Sequence, residues 1–243
     1  MATLSRMTAR SVVLSVLLGA HPACATAAEL VRLTADFDIR EATLRVALTR
    51  MVGAGDLVRS DDGYRLSDRL LARQRRQDDA INPQLLPWDG AWTTLLITSV
   101  GIDARTRASL RIALQQNRFG ELREGVWLRP DNVTVPLPDE VSSRVRVLRS
   151  YDEDPAELAG RLWDLAAWSS AGRRLLEDMS SATDVPGRFV AAAAMVRHLL
   201  TDPVLPDELV PDGWPGAALR ESYAQFAAEL VALRNESALM EAK

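Results

Sequence analysis

The chain has 243 residues, 47% of them hydrophobic and 26% charged, with a formal net charge of −4. That composition excludes a disordered polymer and leaves room for a sizeable core in one to three domains. One cysteine, Cys24, and two histidines, His21 and His198, exclude a disulfide framework and a structural zinc site and fit a reducing cytoplasm. No apolar run approaches the roughly 20 residues of a membrane span. Charge is unevenly spread: residues 1–81 hold 12 arginines against 10 acids, and residues 82–243 hold 17 bases against 23 acids. A slightly basic head on an acidic body suits a protein whose first domain alone meets a polyanion.

The first 28 residues admit two readings. Arg6, Arg10, the apolar run from Val12 to Leu18 and the small residues at 23–27 imitate a secretory signal with a cleavage site. The same stretch reads as a helix over 8–20, with Val12, Val13, Val16 and Leu17 buried and His21-Pro22 ending it. The helix is the better reading, because without it Leu44, Leu48 and Met51 would lack a covering layer. A second helix follows over 27–37, N-capped by Thr26, with Leu30, Val31 and Leu33 facing the core. Asp36-Phe37-Asp38 is a turn, and Asp38 with Glu41 offers a capping box into a third helix.

That third helix organises the chain. Leu44, Leu48 and Met51 fall on one face at helical period, with Ala47 and Val52 beside them. The opposite face carries small residues, Ala42, Val46 and Gly53, with Arg45 and Thr49 along one rim and Thr43 and Arg50 along the other. A solvated helix normally puts long charged residues at the centre of that face. A helix that enters a major groove wants small residues there and hydrogen-bonding arms at its rims. Gly53 and Gly55 stop the helix, and Leu57-Val58-Arg59 and Tyr64-Arg65-Leu66 read as a hairpin closed by Asp61-Asp62-Gly63. Arg59 and Arg65 stand where a wing would reach phosphates, so the unit reads as a winged helix-turn-helix. The alternative for such a helix is a plain solvated surface, or a protein–protein module.

Residues 67–81 read as a charged linker helix whose Arg69, Arg73 and Arg76 share one face, either plainly solvated, the better reading, or in touch with the DNA backbone, and the proline-bearing 82–87 as a boundary. A second unit starts at Trp88, with a strand over 93–100 and a helix over 104–117 whose apolar residues are Leu110, Ile112, Ala113 and Leu114. A strand over 121–128 and another over 144–150 complete a small ferredoxin-like α+β layer with Trp92, Phe119 and Trp127 as core aromatics. From Pro155 helices are expected over 156–168, 172–179, 186–200 and 219–235, around a packed, proline-rich loop at 202–211. Asp103 is the one acid at the first strand's end that suggests a metal ligand, and one carboxylate is poor support for metal chemistry.

These residues resemble the PaaX family of bacterial transcriptional regulators along nearly the whole chain. The carriers are residues 39–51 with Gly55-Asp56-Leu57, Gly63-Tyr64-Arg65-Leu66-Ser67 and Trp88-Asp89-Gly90-Ala91-Trp92. Phe119-Gly120 with Gly125-Val126-Trp127-Leu128-Arg129-Pro130, and Asp202-Pro203-Val204-Leu205-Pro206 with Trp214-Pro215-Gly216, follow in the same order. The resemblance implies a winged helix at 1–81, a central Cas2-like, ferredoxin-like domain at 88–154 and a helical C-terminal domain at 155–243. It further implies homodimers on palindromic operators and, in the type member, release by phenylacetyl-CoA. The family often has a small capping residue where this chain has Arg40.

The expectation is therefore a DNA-binding regulator, a homodimeric repressor, with Arg40, Thr43, Arg45, Val46, Thr49, Arg50, Arg59 and Arg65 at the DNA. An acyl-CoA effector needs cations for its phosphates and an apolar slot for its acyl chain; Arg188, Arg197, Trp163 and Trp168 are the residues that suit it. No catalytic residue, metal or cofactor is assigned. The alternatives are a Cas2-like metal-dependent nuclease, which would need a carboxylate cluster around Asp103, and a winged-helix interaction scaffold that has no DNA.

Overall fold

The computed structural model describes residues 7–241 except 62, 100, 102 and 135, with side chains through 232. The fold is mixed α+β and divides into two compact units: residues up to Asp78 with 174–197 and 218 onward form the first, and Asp79–Arg173 with His198–Ala217 the second.

In the first unit, Thr8 starts α1 (Ala9–Leu18) because its hydroxyl accepts the Ser11 amide, and Val12, Val13, Val16 and Leu17 are fully buried. Thr26 and Glu29 form a reciprocal capping box that starts α2 (Ala27–Ala35). The buried side of α2 is Leu30 and Thr34, whereas Val31 and Leu33 are half-exposed. Thr34 is tolerated there because its hydroxyl donates back to the Leu30 carbonyl.

Helix α3 (Glu41–Gly53) buries Leu44, Leu48 and Met51 on one stripe. Strands β2 (Leu57–Ser60) and β3 (Gly63–Leu66) then pair as a hairpin; Asp62 of the expected turn lies outside the described residues. A third strand, β1 (Cys24–Ala25), stands where the sequence suggests only a loop. It pairs with β3 to give the order β1-β3-β2. Helix α4 (Asp68–Ile81) buries Gln74, whose amide nitrogen reaches the carbonyls of Leu17, Leu18 and Ala20. These carbonyls lie at and just beyond the end of α1, where the helix provides no amide four residues on, so a polar residue in the core caps a helix. Phe37, Phe189 and Phe226 meet edge to face at 5.1 and 5.2 Å, which joins α9 (Val185–Leu199) and α10 (Gly216–Glu241) to this unit.

The second unit is a four-stranded antiparallel sheet of β4 (Trp92–Ile97), β5 (Gly120–Arg123), β6 (Val126–Pro130) and β7 (Val145–Ser150), in the order β5-β6-β4-β7. One face packs on α5 (Ala104–Gln116) and α6 (Asp139–Ser142) through Leu95, Leu110, Leu114, Phe119, Trp127 and Val141. The other carries Trp92 and Leu128 against α7 (Pro155–Leu162) and the 205–209 segment.

Four sequence expectations change here. The single strand over 121–128 is a hairpin, because Gly125 at φ 80° turns the chain and Gly120 and Glu121 pair antiparallel with Leu128 and Trp127. Ile112 is 54% exposed and not on the core side of α5. The helix expected over 156–168 breaks at Trp163, whose extended backbone ends α7 while its ring stacks on Trp92. Asp164 caps the next helix by accepting the Ala167 amide, so α8 (Leu165–Ser181) runs straight through Gly172.

Candidate nucleic-acid interface

Helix α3 carries its burial on one side, so the other is left open: Ala42, Thr43, Arg45, Val46, Thr49 and Arg50 are all exposed. Val46 is 51% exposed at the centre of that face, an apolar, short side chain where water gains nothing from it. The open face forms one wall of a cleft of about 700 Å³, lined by Thr8, Arg10, Ala42, Thr43, Val46 and Arg50 among others. The start of α1 is therefore the other wall, on the Thr43–Arg50 rim.

The rim residues differ in freedom. Arg45 is held by Glu41 one turn earlier, through Nε at 2.8 Å and Nη2 at 2.6 Å to the same carboxylate oxygen. Thr49 donates to the Arg45 carbonyl at 3.0 Å, which leaves its oxygen lone pairs for a further donor. The expected capping box between Asp38 and Glu41 does not form. Asp38 adopts φ 56°, Arg40 is the N-cap and makes no side-chain cap bond, and the Glu41 carboxylate is occupied by Arg45.

In the hairpin, Val58 opposes Arg65 and Arg59 opposes Tyr64. Directly opposed residues share a sheet face, so Arg59 and Arg65, both exposed, point to opposite faces. Arg65 lies on the side away from buried Leu57 and Leu66.

Sequence reasoning missed Asp56. Its side chain is 4% exposed and accepts from Arg10 Nε and Nη2 at 3.1 and 2.8 Å and from Arg69 Nη2 at 2.5 Å. A lone Asp after a glycine stop gives no signal of that kind, since its partners are 46 and 13 residues away. Arg69 is thus anchored and does not belong to a purely solvated face.

The effector candidates do not fall in one unit. Arg188 and Arg197 belong to the first and Trp163 and Trp168 to the second. Arg188 pairs with Glu229 at 2.6 Å and lies 6.0 Å from the Phe226 ring centre, and Arg197 is exposed. Trp163 is taken up by Trp92, and Trp168 stacks between Trp214 at 4.3 Å and His198 at 4.2 Å.

Asp103, considered above as a metal ligand, is the N-cap of α5. The Thr106 amide and hydroxyl donate to its carboxylate at 2.9 and 2.7 Å and hold it below the ordinary carboxylate range. Among the described residues, no group of three or more His, Cys, Asp or Glu side chains is placed to hold a metal ion. No helix of the described residues is long and apolar enough to cross a membrane.

Comparison with known proteins gives a consistent result along the chain. Residues 8–70 match the description "PaaX-like protein", 85–150 "PaaX protein central Cas2-like domain" and 163–238 "PaaX-like protein C-terminal domain". The chain is 29% identical over 213 residues to the transcriptional repressor PaaX of Escherichia coli (strain K12), across 74% of this chain and 66% of that one. The match thus spans just under two thirds of the relative's length. A solved structure, the uncharacterized protein Rv0674 from Mycobacterium tuberculosis, is 67% identical with a TM-score of 0.85, covering 94% of this chain and 98% of that one. The chain belongs to the PaaX family.

Proposed function

We propose that this protein is a DNA-binding transcriptional regulator, a repressor that acts as a homodimer in the cytoplasm and carries out no catalysis. The observation that carries the reading is the open face of α3: a small, apolar centre at Ala42 and Val46 flanked by exposed Thr43, Arg45, Thr49 and Arg50. With β2–β3 as its wing, the first unit works as a winged helix, and α3 enters the major groove. Arg45 reads a guanine edge after exchanging Glu41 for the base, and Val46 meets a thymine methyl. Arg40 stands at the helix start near the backbone, and Arg59 and Arg65, on opposite faces of the hairpin, meet phosphates of different strands.

The sheet order of the central unit, with β6 between β4 and β5, supports a ferredoxin-like reading of residues 88–154. The three-part division at 1–81, 88–154 and 155–243 is kept as the plan of the chain, within which the last part contributes helices to both compact units. The named E. coli relative is a repressor, and its role is carried here as part of the proposal. Release by an acyl-CoA ester such as phenylacetyl-CoA, through Arg188, Arg197, Trp163 or Trp168, belongs to the same reading.

The test is binding of the purified full chain to duplex DNA from upstream of its own gene and to random duplex, titrated with salt, with and without phenylacetyl-CoA. Preference for the upstream duplex, lost on adding the ester, is the expected result. Absence of binding to any duplex at low salt overturns the regulator.

A further inference from the structure

Asp56 holds two arginines from distant parts of the chain in one place. Its backbone is fixed first: its amide donates to the Met51 carbonyl at 2.9 Å, and its carbonyl accepts from Ser67 at 3.0 Å. The carboxylate is thereby set between the end of α3 and the start of α4, with its own side chain almost wholly out of water. Arg10 of α1 and Arg69 of α4 converge on it, yet their side chains are 58% and 68% exposed. Asp56 takes the Nε and Nη2 side of the Arg10 fork, so Nη1 is directed away from the carboxylate. Arg69 engages through one Nη only. Two guanidinium groups against one carboxylate leave a net positive patch with donors facing outward.

The position of that patch gives it a use. Arg10 and Asp56 line the same cleft as Thr43, Val46 and Arg50, so the patch borders the Thr43–Arg50 rim of α3. A helix with its side chains is about 10–12 Å across, and the major groove is about 12 Å wide. A helix in the groove therefore fills it, and each rim lies against a sugar-phosphate strand. We propose that Arg10 and Arg69, positioned by Asp56, form a phosphodiester-binding clamp on that strand. This rests on the DNA-binding reading above and adds a site to it. The clamp contributes affinity and register and reads no bases. Because Asp56 orients both guanidinium groups before DNA arrives, less side-chain freedom is lost on binding.

A surface ion pair that serves folding alone would alter melting and leave the salt dependence of DNA binding unchanged. The clamp changes the salt dependence. Each phosphate contact contributes about 0.9 to the slope of log K against log salt, so Arg10→Ala and Arg69→Ala should each flatten it by about that much. Between about 50 and 200 mM salt, one lost contact shrinks the fall in affinity about 3.5-fold. The loss should be the same on upstream and random duplexes. Arg10→Lys keeps the charge and should keep the slope. If Arg10→Ala fails to fold by circular dichroism, Arg10→Gln retains a donor for Asp56 and reads the same slope.

Fluorescence anisotropy of the full chain on both duplexes decides it, with Arg65→Ala alongside. Wild-type slopes for both Arg10 and Arg69 variants, with a flattened Arg65 variant, overturn the clamp and leave the DNA reading standing. A wild-type protein that binds no duplex overturns both.

Discussion

Replacing Gly63 by alanine tests how closely β1 approaches the hairpin. Gly63 sits at φ 134°, and a Cβ there would lie 2.4 Å from the Ala25 carbonyl oxygen and 2.8 Å from the Thr26 Cα. Both are backbone atoms, so no rotamer change relieves the clash; β1 and the N-cap of α2 must retreat. The backbone conformation alone costs about 1–3 kcal/mol for a residue with a side chain. Losing the Ala25–Tyr64 pairing adds about 1 kcal/mol, and weakening the Thr26 cap about another 1 kcal/mol. The total is about 4 kcal/mol, or about 8–16 °C in melting temperature for a chain of this size. Gly55 provides the control, because it is also left-handed, at φ 69°, but a Cβ there meets nothing within 4 Å. Gly55→Ala should cost only the backbone term, about 1 kcal/mol. Scanning calorimetry of the two variants measures the difference directly. Equal melting temperatures would refute the close approach, and with it the three-stranded sheet that fixes Arg65.

Arg45→Ala should cost about 1–3 kcal/mol on the preferred duplex and relax specificity at one base position, read by competition with single-base variants. Glu41→Gln removes the exposed ion pair that holds Arg45, a term of about 0.4 kcal/mol, and should tighten that duplex about twofold; weaker binding would mean that Glu41 orients Arg45 for the base. Asp103 has a folded-state pKa below its ordinary 3.8, so its contribution to stability is complete above that value and is lost as pH falls through the lower folded one. Asp103→Asn keeps an acceptor for Thr106 and does not titrate, so urea melts should show wild type losing more stability than the variant between about pH 4 and 2. Parallel losses would show that the cap does not depend on charge. Gly120→Ala would place a Cβ 2.7 Å from the Leu162 side chain and 3.0 Å from the Trp163 ring; overpacking of this kind costs about 1–3 kcal/mol, and Trp163 emission should shift with it.

What could be read from the sequence was local. Leu44, Leu48 and Met51 are spaced so that any helix through them buries one stripe, and Thr26 and Gly53 with Gly55 mark helix ends within a few residues. The strand Cys24–Ala25 was not legible, because two residues carry no period and form a strand only by pairing with Tyr64 and Arg65. The β5–β6 hairpin was hidden for a similar reason. Glu124-Gly125 sits inside an otherwise strand-like run, and only the antiparallel pairing of Glu121 with Trp127 shows that the chain has turned. The expected cap at Asp38 failed because a capping pattern gives residue types but not the backbone angle, and Asp38 is left-handed. The effector candidates were chosen by residue type alone, and the fold assigns them to two units.

Counting charge hides the most consequential acid in the head. The tally of 12 arginines against 10 acids treats Asp56 as cancelling one arginine, and on that view Asp56→Asn should tighten DNA binding. The gain is small: at an effective dielectric of about 20, a unit charge about 8 Å from a phosphate contributes about 2 kcal/mol unscreened, and less than about 1 kcal/mol at about 0.15 M salt, where the screening length is itself about 8 Å. Against it stands the orientation of Arg10 and Arg69, each worth about 0.5–1.5 kcal/mol of side-chain ordering that binding would otherwise have to supply. The second quantity is larger, so Asp56→Asn should weaken binding to every duplex although it makes the protein more positive, while Arg45 keeps its base preference. Circular dichroism of the variant separates this from unfolding, since the substituted amide retains an acceptor for one guanidinium. Tighter binding by a folded Asp56→Asn protein would mean that Asp56 opposes DNA as a charge and does not serve it as a support.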